Sequence, residues 1–389
     1  MSVLLLIIGL LLFVGLVVLH ELGHFLVARR NGVTVEEFGI GFPPRAWSRK
    51  TKRGFLFSLN WLPIGGFVKL KGENDAATAP GSFGAARFGV KAKIMLAGVG
   101  MNLLAAFVIF MALAWIGMPQ LIDNQFTVKS DTKIIRHEVL IGYVEPGSPA
   151  QKAGLKDRDQ LLSIERADAE SFTTMSDVQT GKTANGEVIV YEHNITSAAK
   201  MPEITKRLVG QRVRIVYERA GQMRAATAQL RSKAAAAKDG ALGVAPADYS
   251  LTRATWSAPV QSAGLLWQFS AATFKGLGTA LTALFHGDTT TASQQVSGPV
   301  GIVVVLHDGS VLGYQFVLVI VGIISLSLAI MNILPIPALD GGRFYVLLLS
   351  RIFGRRLSKD MEERIVGASF VFLLLLIVLI TVVDVRRLL

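Results

Sequence analysis

The chain has 389 residues, 51% of them hydrophobic, 17% charged and none of them cysteine, with a formal net charge of +12 and a mean hydropathy of +0.47. So positive a hydropathy excludes an ordinary soluble enzyme and points to a membrane protein. The absence of cysteine excludes disulfide frameworks, Fe–S clusters, thiolate zinc sites and cysteine nucleophiles, so any metal must sit on His, Asp or Glu.

In chain order, residues 2–28, 94–117, 314–334 and 365–383 are each apolar enough to cross a bilayer, which takes roughly 20 residues. The first lacks a basic leader and a small-x-small cleavage site, so it reads as a retained span rather than a cleavable signal peptide. Charge orients these spans. Residues 29–93 hold 12 Lys+Arg against 4 Asp+Glu, a local +8, and residues 343–364 hold 6 against 3. Both have the cationic excess of cytoplasmic loops. Residues 118–250, with 18 basic and 16 acidic side chains, fit the opposite side. Both termini are then expected outside, and the positive charge marks topology rather than nucleic-acid binding. Residues 256–285 could be a fifth span. Gln261, Gln268, Lys275 and an apolar stripe of Trp256, Leu265, Leu266, Phe269, Leu277 and Leu281 favour an amphipathic helix on the outer surface.

Chemistry concentrates at His20-Glu21-Leu22-Gly23-His24, near the end of the first span. Residues at i and i+4 share a helix face, so both imidazoles can reach one metal, and Glu21 between them can take a proton from a metal-activated water attacking a carbonyl. Ionisable groups in an apolar helix are expensive, which argues for function; the bland alternative is a polar helix end snorkelling before Arg29 and Arg30. A zinc hydrolase needs a third protein ligand. His137, His193, His286 and His307 lie in the outer section. Asp340, directly after the third span and after the helix-breaking Pro335 and Pro337, is the better candidate; otherwise it caps a turn with Gly341 and Gly342. Parity links the two questions. Only if residues 256–285 do not cross does Asp340 emerge on the side of His20 and His24.

The pentapeptide, the Asn332-Ile-Leu-Pro-Ile-Pro-Ala-Leu-Asp340-Gly-Gly342 segment and the outer domain between the second and third spans together resemble the site-2 protease family of intramembrane zinc metalloproteases. The likeness is to its bacterial regulator of sigma E protease type, which carries a PDZ domain. The resemblance implies Zn2+ held by His20, His24 and Asp340, Glu21 as general base, and Asn332 holding substrate backbone near the metal.

The loop after the first span alternates β-favouring residues between Gly and Pro, as in 38–45 and 55–70, and predicts β-hairpins. In the family such a structure resembles a substrate clamp, with Gly65, Gly66 and Phe67 in its matching portion; a plain packed hairpin is the alternative. Gly98, Gly100 and Asn102 match a Gly/Asn-containing family helix near the site, or serve close packing. Residues 139–155, with Gly147-Ser-Pro149-Ala, look like the front half of a bacterial PDZ domain, present once. Its groove would use Ile141, Gly142, Tyr143 and Val144 to capture a peptide C-terminus; a steric size filter without ligand is the equal alternative. Residues 168–199 exceed a compact PDZ, residues 233–240 read as an exit linker, and 296–302 resemble a gating or packing segment.

The expected protein is therefore an α-helical polytopic membrane protein with four transmembrane helices, a membrane-associated β-hairpin region at about 33–72 and one inserted extracytoplasmic PDZ-like α/β domain. Its parts are residues 1–117, 125–235, 236–313 (linker and surface helix) and 314–389. The resemblance implies a bacterial inner-membrane endopeptidase acting in regulated intramembrane proteolysis. Its partners would be the lipid bilayer and single-pass membrane proteins such as anti-sigma factors or signal-peptide remnants. A catalytically inactive PDZ adaptor and a metal transporter are the rival readings.

Overall fold

A computed structural model of the chain describes residues 2–73, 78–167, 178–182, 188–354 and 359–388. They divide into two compact units: residues 1–118, 122–132 and 253–389, and residues 119–121 and 133–252.

The first unit begins with α1 (Ser2–Arg30), continues through β1 (Val35–Lys50) and β2 (Leu56–Leu70), and reaches α2 (Phe88–Ile116). Nothing in the apolar run of α1 breaks a helix, and Arg29 and Arg30 close its last turn, where cations suit the helix dipole. Instead of separate hairpins, β1 and β2 form one two-stranded sheet that doubles back through several irregularities. Val35 stands opposite Leu70 and Gly39 opposite Phe67, while Phe38 also faces Phe57, and Arg49 faces Phe57 farther on. Residues 66–70 therefore border 35–40 on one side only among the described residues. Phe25 of α1 packs edge-on to Phe38 and Phe55, seating the sheet on the helix.

The second unit adds β3 (Met118–Pro119), β4 (Lys133–Val144), α3 (Pro149–Lys152), β5 (Gln160–Arg166), β6 (Val178–Lys182), β7 (Val188–Glu192), α4 (Met201–Arg207), β8 (Arg212–Arg219), β9 (Gln222–Gln229), α5 (Lys233–Asp239) and β10 (Val244–Arg253). Its main sheet has the order β3-β10-β4-β5-β8-β9, with β6 and β7 as a separate hairpin. Val139, Ile141, Val213 and Ile215 alternate into its core, as a half-buried sheet requires, and Leu161 and Ile164 join them across a register shift in β5. Asp159, 1% exposed, is held by the Arg219 guanidinium through two 2.6 Å contacts. Two expectations change here. Residues 233–240 are not a bare linker: 233–239 form α5, Ala236 packs on the core, and the chain returns as β10 inside the sheet, so the unit extends to Thr252 rather than to 235. Of the long stretch 168–199, residues 168–177 and 183–187 lie outside the described residues.

Back in the first unit follow α6 (Ala258–Phe285), α7 (Thr289–Gln294), α8 (Pro299–Leu312), α9 (Tyr314–Ile333), α10 (Asp340–Ile352) and α11 (Lys359–Leu388). Among the described residues, four helices are long and apolar enough to cross a membrane: α1, α2, α9 and residues 363–386 of α11. The 28-residue α6 is not among them. Its expected stripe splits: Leu265 and Phe269 are buried with Phe110 and Val319, whereas Trp256 and Leu281 face outward. Asp131 fastens its start, accepting from the Thr255 and Ser257 main-chain N–H groups at 2.8 and 3.0 Å. The segment 296–302 is tied down as well: the buried Asp384 carboxylate on α11 accepts from the N–H groups of Gly298 and Gly301, each at 2.9 Å, and so caps α8, a favourable place for an anion.

Candidate active site

α1 carries His20 and His24 one turn apart on its buried face. His20 lies ten residues before Arg30, roughly 15 Å from that helix end. After α9 ends at Ile333, Pro335 and Pro337 interrupt the helix, and α10 opens with Asp340 in its first turn. Gly341 and Gly342 are buried against the main chain of Ile333 and Ile336, where a Cβ has no room. That close approach brings Asp340 back beneath α1.

The result is a three-donor cluster. The two Nε2 atoms stand 3.2 Å apart, and Asp340 Oδ2 lies 2.9 Å from that of His20 and 3.1 Å from that of His24. Zinc–donor bonds of about 2.0–2.1 Å in tetrahedral array put neighbouring donors roughly 3.3 Å apart, so the set fits zinc with little adjustment. His24 Nδ1 lies 2.7 Å from the Ile94 carbonyl and donates its proton there, which leaves the Nε2 lone pair for a metal. Asn102 serves the other ring. Its Nδ2 is 3.3 Å from His20 Nδ1, and its Oδ1 is buried without a partner. The two ends of an amide have the same shape; turned end for end, the amide accepts the His20 Nδ1–H on its oxygen and frees that Nε2 too. Asp340 Oδ2 is then a buried acceptor with no donor, and three lone pairs converge on one point. Gly98 permits this arrangement, because a Cβ there would stand 2.5 Å from His24 Nε2. Asn102 is itself held through its carbonyl, which accepts from Ser325 Oγ of α9 at 2.7 Å.

Glu21 faces β2, where Gly66 and Val68 lie beside it. It opens into a cavity of about 490 Å³ whose walls include His24, Phe67, Val68, Lys69, Glu73, Asp340 and Arg343. Phe67 thus lines the site, Gly66 is buried close to the Glu21 side chain, and Gly65 makes the turn before them with φ +101. Asn332 is half-buried in the last turn of α9 and is not among the cavity-lining residues. Sequence reasoning passed over Arg343, whose Nε is buried without a hydrogen-bond partner; its place one turn beyond Asp340 was the available signal. The Ile94 carbonyl, a main-chain group, gave none.

The expected peptide groove is different. β4 lies between β10 and β5, so neither edge of it is open. Ile141 N–H donates to Asp159 O, Val144 N–H to Asp157 Oδ1 and Glu145 N–H to Gly243 O. Ile141 is buried, whereas Gly142 and Tyr143 face outward. The strand that was to pair with a peptide is paired within the protein, because β10 returns to it.

A family profile described as Peptidase family M50 matches residues 8–376. The chain is 27% identical to a protein of Clostridium acetobutylicum named as a zinc metalloprotease, over 97% of this chain and 96% of that one. It is 29% identical to one of the same designation from Clostridium perfringens, over 97% of each. A protein of Enterococcus faecalis named as the protease Eep is 24% identical over 96% of each chain.

Proposed function

The chain belongs to peptidase family M50, a metalloprotease with zinc as its cofactor, and from that premise we propose that it cleaves single-pass membrane proteins within or beside their transmembrane segment. The observation that carries the reading is the convergence of His20, His24 and Asp340, with Glu21 beside them, inside a unit of membrane-spanning helices.

These three side chains would hold the metal, which when bound supplies a Lewis acid that acidifies water and polarises a carbonyl. Glu21 takes the proton of the attacking water and delivers it to the departing amine. Helical substrate hides its peptide bonds in its own hydrogen bonds and must be unwound first. Segment 66–70 supports that step, since no strand borders its outer side among the described residues and Gly66 lies against Glu21; an extended peptide added there would displace the Glu73 carboxylate from the Leu70 N–H. Asn332, in the last turn of α9, would hold substrate backbone near the metal, and Gly65 to Phe67 shape the path beside Glu21.

The second unit is read as a single PDZ-like domain on the extracytoplasmic side. Its closed β4 edge favours a steric filter, admitting substrates already shortened outside, over capture of a peptide C-terminus. Positive loops favour a site toward the cytoplasm of a bacterial membrane, with both termini outside.

Glu21→Gln tests the reading. Zinc content should match wild type, while cleavage of a single-span reporter in proteoliposomes falls by about 10²–10⁴-fold; undiminished cleavage would remove Glu21 from the mechanism.

A further inference from the structure

The outer side of residues 66–70 is occupied at one end. Lys71 N–H donates to the Thr34 carbonyl at 2.9 Å, toward β1, whereas Leu70 N–H turns the other way and donates to the Glu73 carboxylate, also at 2.9 Å. Successive main-chain groups of a strand point to opposite sides, so the N–H and C=O groups of Gly66, Val68 and Leu70 form one row on the side away from β1. Glu21 stands at the first end of this row, where a Cβ on Gly66 would lie 3.2 Å from Glu21 Cγ. Glu73 stands at the other end, and both carboxylates line the same cavity. Four residues at about 3.3 Å each put the two ends about 13 Å apart.

A neighbouring strand would present a carbonyl to Leu70; Glu73 presents its own oxygen in that place. Its side chain is half-buried, and among the described residues the Leu70 N–H is the one donor that holds it. We propose that Glu73 sets substrate specificity by competing for this last pairing position. It satisfies Leu70 while the edge is empty and yields to an extended segment that reaches about four residues from the bond beside Glu21. A segment that is still helical, or unwound over a shorter stretch, leaves Glu73 in place and forgoes the bond. Displacement exchanges one hydrogen bond for another, so strand addition gains less at Leu70 than at an unoccupied position. A plain cap on the turn after β2 has the opposite consequence, since its removal loosens the edge and weakens binding. The specificity role rests on the protease reading; the competition at Leu70 does not.

The test uses the full zinc-loaded chain in proteoliposomes, with E21Q added wherever binding of the uncleaved single-span reporter is measured. It compares wild type with E73A, E73Q and E36Q, the last removing a nearby exposed acid that pairs with Lys69. Reporter affinity is read by fluorescence anisotropy and Leu70 exchange by hydrogen-exchange mass spectrometry with residue-resolving fragmentation, alongside zinc content and melting temperature. E73A should bind the reporter about 2–10-fold tighter, the worth of one net hydrogen bond. Its KM for cleavage should fall by the same factor while kcat does not rise, because the competitor is displaced before the chemical step. Leu70 exchange should be faster in free E73A and slow again when the reporter binds. E73Q, whose neutral oxygen is a weaker acceptor, should fall between wild type and E73A, and E36Q should match wild type. Unchanged or weaker binding by folded E73A overturns the proposal, as does equal tightening by E36Q, which means general charge repulsion. Leu70 exchange that the bound reporter fails to slow also overturns it. If E73A loses its fold, the same readings on E73Q decide. Tighter binding by E73A with no cleavage by any chain that retains Glu21 supports the competition at Leu70 and counts against the protease reading instead.

Discussion

Two places in the molecule treat buried polar atoms in opposite ways. Around α1 and α10, Asp340 Oδ2 and Arg343 Nε are buried without hydrogen-bond partners. In the strand 141–145 of the second unit, the N–H groups of Ile141, Val144 and Glu145 are each committed to a neighbour in the same unit. An unsatisfied buried polar group costs about 1–3 kcal/mol, so a fold tolerates a cluster of them where something else completes them. The difference separates a site built to receive from a sheet built to stand.

The comparison can be broken at several points. Asp340→Asn removes the charged member of the cluster, and zinc affinity should fall by more than the about 10–100-fold typical of outer-shell changes; equal zinc occupancy in metal analysis would exclude Asp340 as a ligand. Asn102→Ala leaves all three donors but frees the His20 ring, so zinc affinity should drop by about 10–100-fold, read in a competition titration with a chelator. Gly98→Ala drives a methyl group into both imidazoles, an overpacking of about 1–3 kcal/mol. Gly100→Ala, with nothing within 4 Å of its Cβ position, should leave zinc content and melting temperature as in wild type. Similar losses in the two would show that α2 tolerates no change there at all. Smallest of all, Tyr143→Ala, at a side chain 54% exposed, should change stability by less than about 0.5 kcal/mol and leave cleavage intact; a clear loss of cleavage would restore the peptide groove.

What the sequence made legible follows the same division. Helix periodicity is local, so His20 and His24 share a face by spacing alone, and charge counts sufficed to put Asp340 on their side. The four apolar helices also follow from composition. Strand neighbours are set by distant segments. Nothing in residues 141–144 announces that 244–253 will close over them, and the Ala/Lys run 233–239 gives no hint that the chain returns to the sheet. The doubled β1–β2 sheet was visible as β structure but not in its pairing, since register there depends on irregularities that turn residues alone do not specify. The Asp384 cap on α8 joins the end of the chain to residue 298 through main-chain N–H groups, which carry no sequence signature.

The three side chains of the candidate metal site stand at positions 20, 24 and 340, and Asp340 can reach the histidines only after α9 has been laid down and the chain has doubled back through its prolines. A ribosome making this chain therefore puts the histidines and Glu21 into the membrane long before their partner exists. Every nascent chain that stops short of Asp340 is without the complete cluster, and holds Glu21 beside two histidines alone.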